Sequence, residues 1–172
     1  HDFIHGKPDA EGVCGHRVTI CLNAPGYLDL VEAYTREVLE MYPVDGMRWD
    51  ILQTAEGCRC AGCRKFYRET YGEELTDWDK TEPRRVHDFY LATTSRAVTQ
   101  LRSLCKRIKP SVEIWQNSLQ SYTPNLLDLA RQMDIAYNEY GDPFRLLFIR
   151  GVADKAAAIN GLMNTAPTNP PL

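Results

Sequence analysis

Val44–Asp45–Gly46–Met47–Arg48–Trp49–Asp50–Ile51 reads with a period of two. Met47, Trp49 and Ile51 alternate with Gly46, Arg48 and Asp50, so a strand here carries one apolar face and one polar face. That polar face bears directly on the fold. Helices cover both strand faces in an open doubly wound sheet, whereas in a closed eight-stranded barrel one face meets helices and the other points inward. A second strand, Val112–Asn117, also sets polar or amphipathic residues on one side (Glu113, Trp115 and Asn117), and the pair favours the barrel.

Helical patterns flank these strands. Upstream, Asn23 is placed as an N-cap with Pro25 in the first turn. Tyr27, Leu30, Val31, Tyr34, Val38 and Met41 follow at helical spacing, ending before Pro43. Downstream, a short helix is expected from Ala61 to Tyr71 with Gly72 as its C-cap. A long one starts near Pro83, carries Val86, Tyr90, Ala97, Leu101, Leu104 and Ile108 on one stripe, and ends at Pro110. Pro124–Met133 reads as a helix, Asp134–Glu139 as a third strand and Pro143 to Ile159 as a last helix. The alternation implies parallel strands joined by helical crossovers, an α/β chain. Three strands make a partial (β/α)8 TIM barrel, about strands 4 to 6 with their helices, because a complete barrel has eight strands. Residues 1–172 are accordingly read as part of a single catalytic domain, with 54–82 a Cys-containing insertion after a barrel strand.

Composition narrows the partners. The 20 basic and 23 acidic residues are interspersed, which argues against nucleic acid and anionic membranes, since phosphate binding draws on clustered Lys and Arg. Apolar runs such as Leu146–Ile149 are far too short to span a bilayer. No GxGxxG or GxxxxGK loop follows any strand, so nucleotide binding loses its best support. Residues 1–18 read as an excursion; with no initiator Met or targeting segment at His1 and an aperiodic 164–172, the chain reads as a portion of a longer protein, and the compartment is left open.

Cys58, Cys60 and Cys63 fall within six residues, and Cys21 precedes the first helix. Thiolates spaced in this way suit a tetrahedral zinc, with the fourth ligand supplied from a distant loop. Cys21 and the trio would meet if a further strand ended near Ile20, at the same end of the sheet. Disulfides or unrelated free thiols are the alternative, since six Cys allow three bridges. Cys14 and His16 are possible substitute ligands, and Cys105 on the long helix reads as buried. A four-thiolate shell leaves no open position for water, so such a zinc would be structural, with no catalytic cofactor.

Barrel chemistry sits at the C-terminal ends of strands. Asp50 is the last polar position of its strand and Glu139 ends the third, two strands away. At about 4.8 Å per strand the backbones would be about 9–10 Å apart. Side-chain reach could close that to the roughly 5.5 Å of a retaining glycosidase pair. Arg48 could hold Asp50 anionic as a nucleophile, or the two could form a purely structural pair. Glu139 is the acid/base candidate, although Ile135 and Tyr137 share its parity and would favour a helix-facing side, which would turn Asn138 toward the site instead. Trp115, Asn117, Asn138 and Tyr140, with Arg48, are candidate sugar contacts, while Trp49 is assigned to the core.

Cys21–Leu22–Asn23–Ala24–Pro25, then Cys58, Cys60, Cys63–Arg64, Phe66 and Tyr71–Gly72, resemble the zinc-containing β-galactosidases of glycoside hydrolase family 42 over Cys21 to Trp78. The resemblance implies a structural zinc beside the barrel mouth. Those galactosidases carry an Asn-Glu acid/base where this chain reads Arg48–Trp49–Asp50–Ile51–Leu52–Gln53. Val44–Asp50 instead resembles the strand of α-L-fucosidases and uncharacterised fucosidase-like hydrolases, which implies Asp50 as the nucleophile. Asn138–Glu139 forms an Asn-Glu pair on a different strand from the galactosidase one.

The leading expectation is therefore a retaining glycoside hydrolase acting on a carbohydrate, completed by the rest of a barrel or by a homo-oligomer partner. A non-catalytic carbohydrate-binding barrel with a structural zinc is the second reading. A metal hydrolase is the third, disfavoured by the closed thiolate shell.

Overall fold

A computed structural model describes residues 13–14, 19–50, 52, 58–116, 129–138, 147, 151 and 158–160. Chain contacts divide it into two compact units, His1–Asp45 with Leu52–Val112, and Gly46–Ile51 with Glu113–Leu172.

The first unit contains strands β1 (Val13–Cys14) and β2 (Thr19–Ile20) and helices α1 (Tyr27–Met41), α2 (Ala61–Tyr71) and α3 (Pro83–Ile108). A strand does end at Ile20, but β2 pairs antiparallel with β1, in the stretch read as an excursion, and not with the parallel strands. α1 begins after Gly26, whose φ of 77° is open to glycine without strain. Asn23 is therefore not its N-cap. The buried face of α1 is Leu28, Thr35 and Leu39, whereas Leu30, Tyr34 and Met41 of the expected stripe are 48%, 62% and 67% exposed. The physical reason is that α1 carries two adjacent apolar stripes about 100° apart, and periodicity alone does not say which one is covered. The Gln100 amide of α3 donates to Glu32 of α1.

α2 and α3 fall where they are expected. Gly72 closes α2 with a φ of 71°, and Pro83 occupies the first turn of α3. The long helix buries Ala97, Leu101 and Leu104 as expected, together with Phe89, Thr93, Thr94, Val98 and Cys105, while Val86, Tyr90 and Ile108 are half-buried. At its end the Lys106 ammonium donates to the Val112 carbonyl, and that of Lys109 donates to the Val44 carbonyl.

In the second unit, β3 (Gly46–Trp49) and β4 (Glu113–Gln116) pair in parallel, Arg48 beside Trp115 and Trp49 beside Gln116. Trp49, Ile114 and Gln116 are buried; Arg48 and Glu113 on the other face are exposed. The two-residue period read from the sequence is thus the period of the strands, and Trp49 is a core residue. β5 (Ala136–Asn138) pairs in parallel with β6 (Ala158–Asn160). The Ile114 carbonyl accepts the Asp134 amide at 2.8 Å, and the Asp134 carboxylate takes the Ile114 N–H at 3.0 Å, tying the start of β5 to β4. β6 corrects the expected last helix, which was carried to Ile159. The alanines of 156–158 have high helix propensity, but Ile159 is β-branched and parallel pairing with β5 overrides the local preference at Ala158–Asn160. Residues 129–131 are helical, as expected, and the rest of 124–128 lies outside the described residues. Among the described residues the strands form three two-stranded pairings, and no helix is long and apolar enough to cross a membrane.

Candidate metal centre and ligand-binding face

Cys60 stands at the N-cap of α2 and Cys63 in its first turn, so one helical turn brings both sulfurs to the same end. The unpaired N–H groups at a helix N-terminus favour negative charge there. Cys21 follows β2 directly, and the turn after it, with the Ala24 N–H bonded to the Cys21 carbonyl, packs against the start of α2. Gly62 permits this approach: a Cβ there would sit 1.6 Å from the Asn23 carbonyl oxygen.

The four sulfurs of Cys21, Cys58, Cys60 and Cys63 all lie within 4.8 Å of one another. A tetrahedral ion with metal–sulfur bonds of about 2.3 Å places its ligands about 3.8 Å apart, so the cluster fits a metal ion with little rearrangement. The thiols are free, which removes the disulfide alternative for these four, and each is at most 1% exposed. Hydrogen bonding from Cys21 lowers the Cys60 thiol to about 6, while contact with Cys58 raises Cys21 and contact with Cys21 raises Cys63. Crowded thiols oppose one another's ionisation, and a cation among them would favour the thiolate forms. Tyr67, Leu75 and Phe89 complete this buried cluster. Phe89 packs at a tilt against Phe66, Tyr67 and Trp78 at centroid distances of 5.4–5.7 Å, and the Trp78 indole donates to the Cys58 carbonyl at 3.1 Å.

Asn23 escaped the sequence reading as part of this centre. It is 7% exposed, its backbone N–H donates to the Cys21 sulfur at 3.3 Å, and its amide donates to the Cys63 sulfur at 3.4 Å. The available signal was an Asn two residues after a candidate ligand, which helix-capping statistics claimed first. Cys105 is buried as expected, and burial pushes its thiol up to about 11. The Cys14 side chain and His16 lie outside the described residues.

In the second unit, the Arg48 guanidinium contacts the Asp50 carboxylate at 3.1 Å and lies over the Tyr137 ring, 5.0 Å from its centroid. Tyr137 was expected to favour a helix-facing side; here it lies under Arg48 instead. An Arg planar fork stacks on an aromatic face with little loss of solvation, which offsets that preference. Trp115, in register with Arg48, lies against Gly46, where a Cβ would be 2.4 Å from its ring. Gly46→Ala is expected to displace that ring at a cost of about 1–3 kcal/mol, read as a lower denaturation midpoint with a shift in tryptophan emission. An unchanged midpoint and spectrum would contradict this placement. Asn117, Glu139 and Tyr140 lie outside the described residues, as does the side chain of Asn138 on β5.

The chain has a partial counterpart of known structure. The chain is similar in fold to part of an α-L-fucosidase. The match is to α-L-fucosidase isoenzyme 2 from Paenibacillus thiaminolyticus, with 24% identity and a TM-score of 0.53, over 69% of this chain and 16% of that one. The likeness is therefore one of glycosidase-like fold, spanning a minor share of the larger enzyme. No family model and no curated protein matches the chain.

Proposed function

We propose that this chain is part of the catalytic (β/α)8 barrel of a retaining glycoside hydrolase, about strands 4 to 6, with 54–82 as an insertion after a strand. The observation that carries the reading is Asp50, just past the C-terminal end of a parallel strand and paired with Arg48, in a chain whose fold resembles part of a fucosidase. In this reading Asp50 attacks the anomeric carbon and forms a glycosyl–enzyme bond, while an acid protonates the departing oxygen; water then breaks the bond with that residue as base. Arg48 orients the Asp50 carboxylate through their 3.1 Å contact. Glu139, the next acid after the third parallel strand in the sequence, is the acid/base. Trp115, Asn117, Asn138 and Tyr140 contact the sugar. The four cysteines hold a structural zinc, because thiolates select soft or borderline ions and a closed shell excludes substrate. The remaining strands come from a longer chain or a homo-oligomer partner, and the kinship is with fucosidase-like hydrolases more than with family 42.

The test is hydrolysis of a panel of aryl glycosides, α-L-fucoside first, with the anomer released followed by proton NMR. Double displacement predicts that the first-formed sugar keeps the substrate's configuration. Inversion would contradict it, and sugar binding without turnover of any member would favour the carbohydrate-binding barrel.

A further inference from the structure

We infer that Asn23 and Arg96 govern the charge of the four-cysteine centre, Asn23 being a positioning residue that links its sulfurs to a cation on α3. The inference rests on reading the cluster as a metal centre. The Asn23 amide nitrogen donates to the Cys63 sulfur at 3.4 Å and to the Thr93 hydroxyl at 3.3 Å, and its oxygen accepts from the Arg96 guanidinium. The Asn23 backbone N–H adds a bond to the Cys21 sulfur at 3.3 Å. Arg96 is itself fixed, its guanidinium stacked over the Phe66 ring at 4.2 Å from the centroid.

This arrangement has a direction. A guanidinium only donates, so the amide oxygen must face Arg96, and that turns the NH2 group toward Cys63. A divalent ion with four thiolates carries a net charge of −2 in a buried, aromatic-walled site, where uncompensated charge is costly. N–H···S bonds draw charge from the sulfurs, and the cation behind the amide polarises it and strengthens that pull. Asn suits this relay because it accepts from Arg96 and donates to sulfur at once. An Asp would keep the first contact and lose the second; a Leu of similar size would lose both.

Competition between the protein and a chromophoric chelator for zinc measures the effect, with cobalt(II) absorption as a second readout. Asn23→Asp and Asn23→Leu are expected to weaken zinc binding about 10- to 100-fold, the usual consequence of losing a hydrogen-bond partner of a metal ligand. Arg96→Met is expected to weaken it in the same direction by less. Thr99→Val, at an exposed position of α3 where the hydroxyl donates to the Ser95 carbonyl, should leave affinity unchanged. In the cobalt(II) protein the sulfur-to-metal band should move to lower energy in the Asn23 and Arg96 variants, because the sulfurs become more electron-rich; a residue that merely filled space would not move it. Wild-type affinity and an unmoved band in the Asn23 variants would overturn the inference. If those variants fail to fold, Arg96→Met decides it by the same two readouts. A wild-type protein that takes up neither zinc nor cobalt would instead overturn the metal reading beneath it.

Discussion

Stripping the metal from the Cys21, Cys58, Cys60 and Cys63 centre is expected to lower the melting temperature by about 10 °C or more. An ion held by these thiolates would join Cys21 to Cys63, 42 residues further along the chain, and so tie the turn after β2 to the start of α2. Zinc held by thiolates in small peptides contributes about 10–16 kcal/mol of apparent binding energy at neutral pH. Much of this is offset by the entropy of ordering the loops that carry the ligands, leaving several kcal/mol. At about 2–4 °C per kcal/mol for a chain of this size, the shift is large. Calorimetry with and without a strong chelator at neutral pH checks it, and Cys63→Ser should reproduce it. Coincident melts, with no metal found by elemental analysis, would contradict the zinc assignment.

Asp50→Asn is expected to lower kcat by about 1,000-fold or more, because an amide cannot form and release the glycosyl ester. Stability should hardly change. The Arg48 and Asp50 side chains are 37% and 67% exposed, and an ion pair this open is worth only about 0–1 kcal/mol. The two readouts separate the roles: a purely structural pair predicts normal turnover with a slightly lower melting point. Arg48→Met should lower turnover less than Asp50→Asn, since Arg48 acts by orienting the Asp50 carboxylate.

Much of the frame was legible because local chemistry and tertiary demand agree. Met47/Trp49 against Arg48/Asp50 is a period no helix would keep, and β3 and β4 adopt it with the expected faces. Pro83 and Gly72 mark helix ends for reasons internal to the backbone. The four-cysteine spacing likewise assembles as read. The misreadings arise where two solutions are locally equivalent. α1 has two apolar stripes; the one with Leu28, Thr35 and Leu39 is buried, and α1 packs against α3. Ala158–Asn160 suits a helix until β5 offers a parallel partner. Asn23 suits a helix cap until the sulfurs of Cys21 and Cys63 and the guanidinium of Arg96 surround it. In each case the deciding contact comes from a distant part of the chain, where periodicity and propensity carry no information.

The central claim, that Asp50 is the nucleophile of a retaining glycosidase, is tested most directly by trapping. The protein is incubated with activated 2-deoxy-2-fluoro glycosides matching the aryl glycosides it hydrolyses, digested, and its peptides sequenced by mass spectrometry. The account predicts one added fluoroglycosyl group on the peptide containing Asp50, located on its side chain and absent from Asp50→Asn. An adduct on a different carboxylate, with Asp50 unmodified, would contradict it.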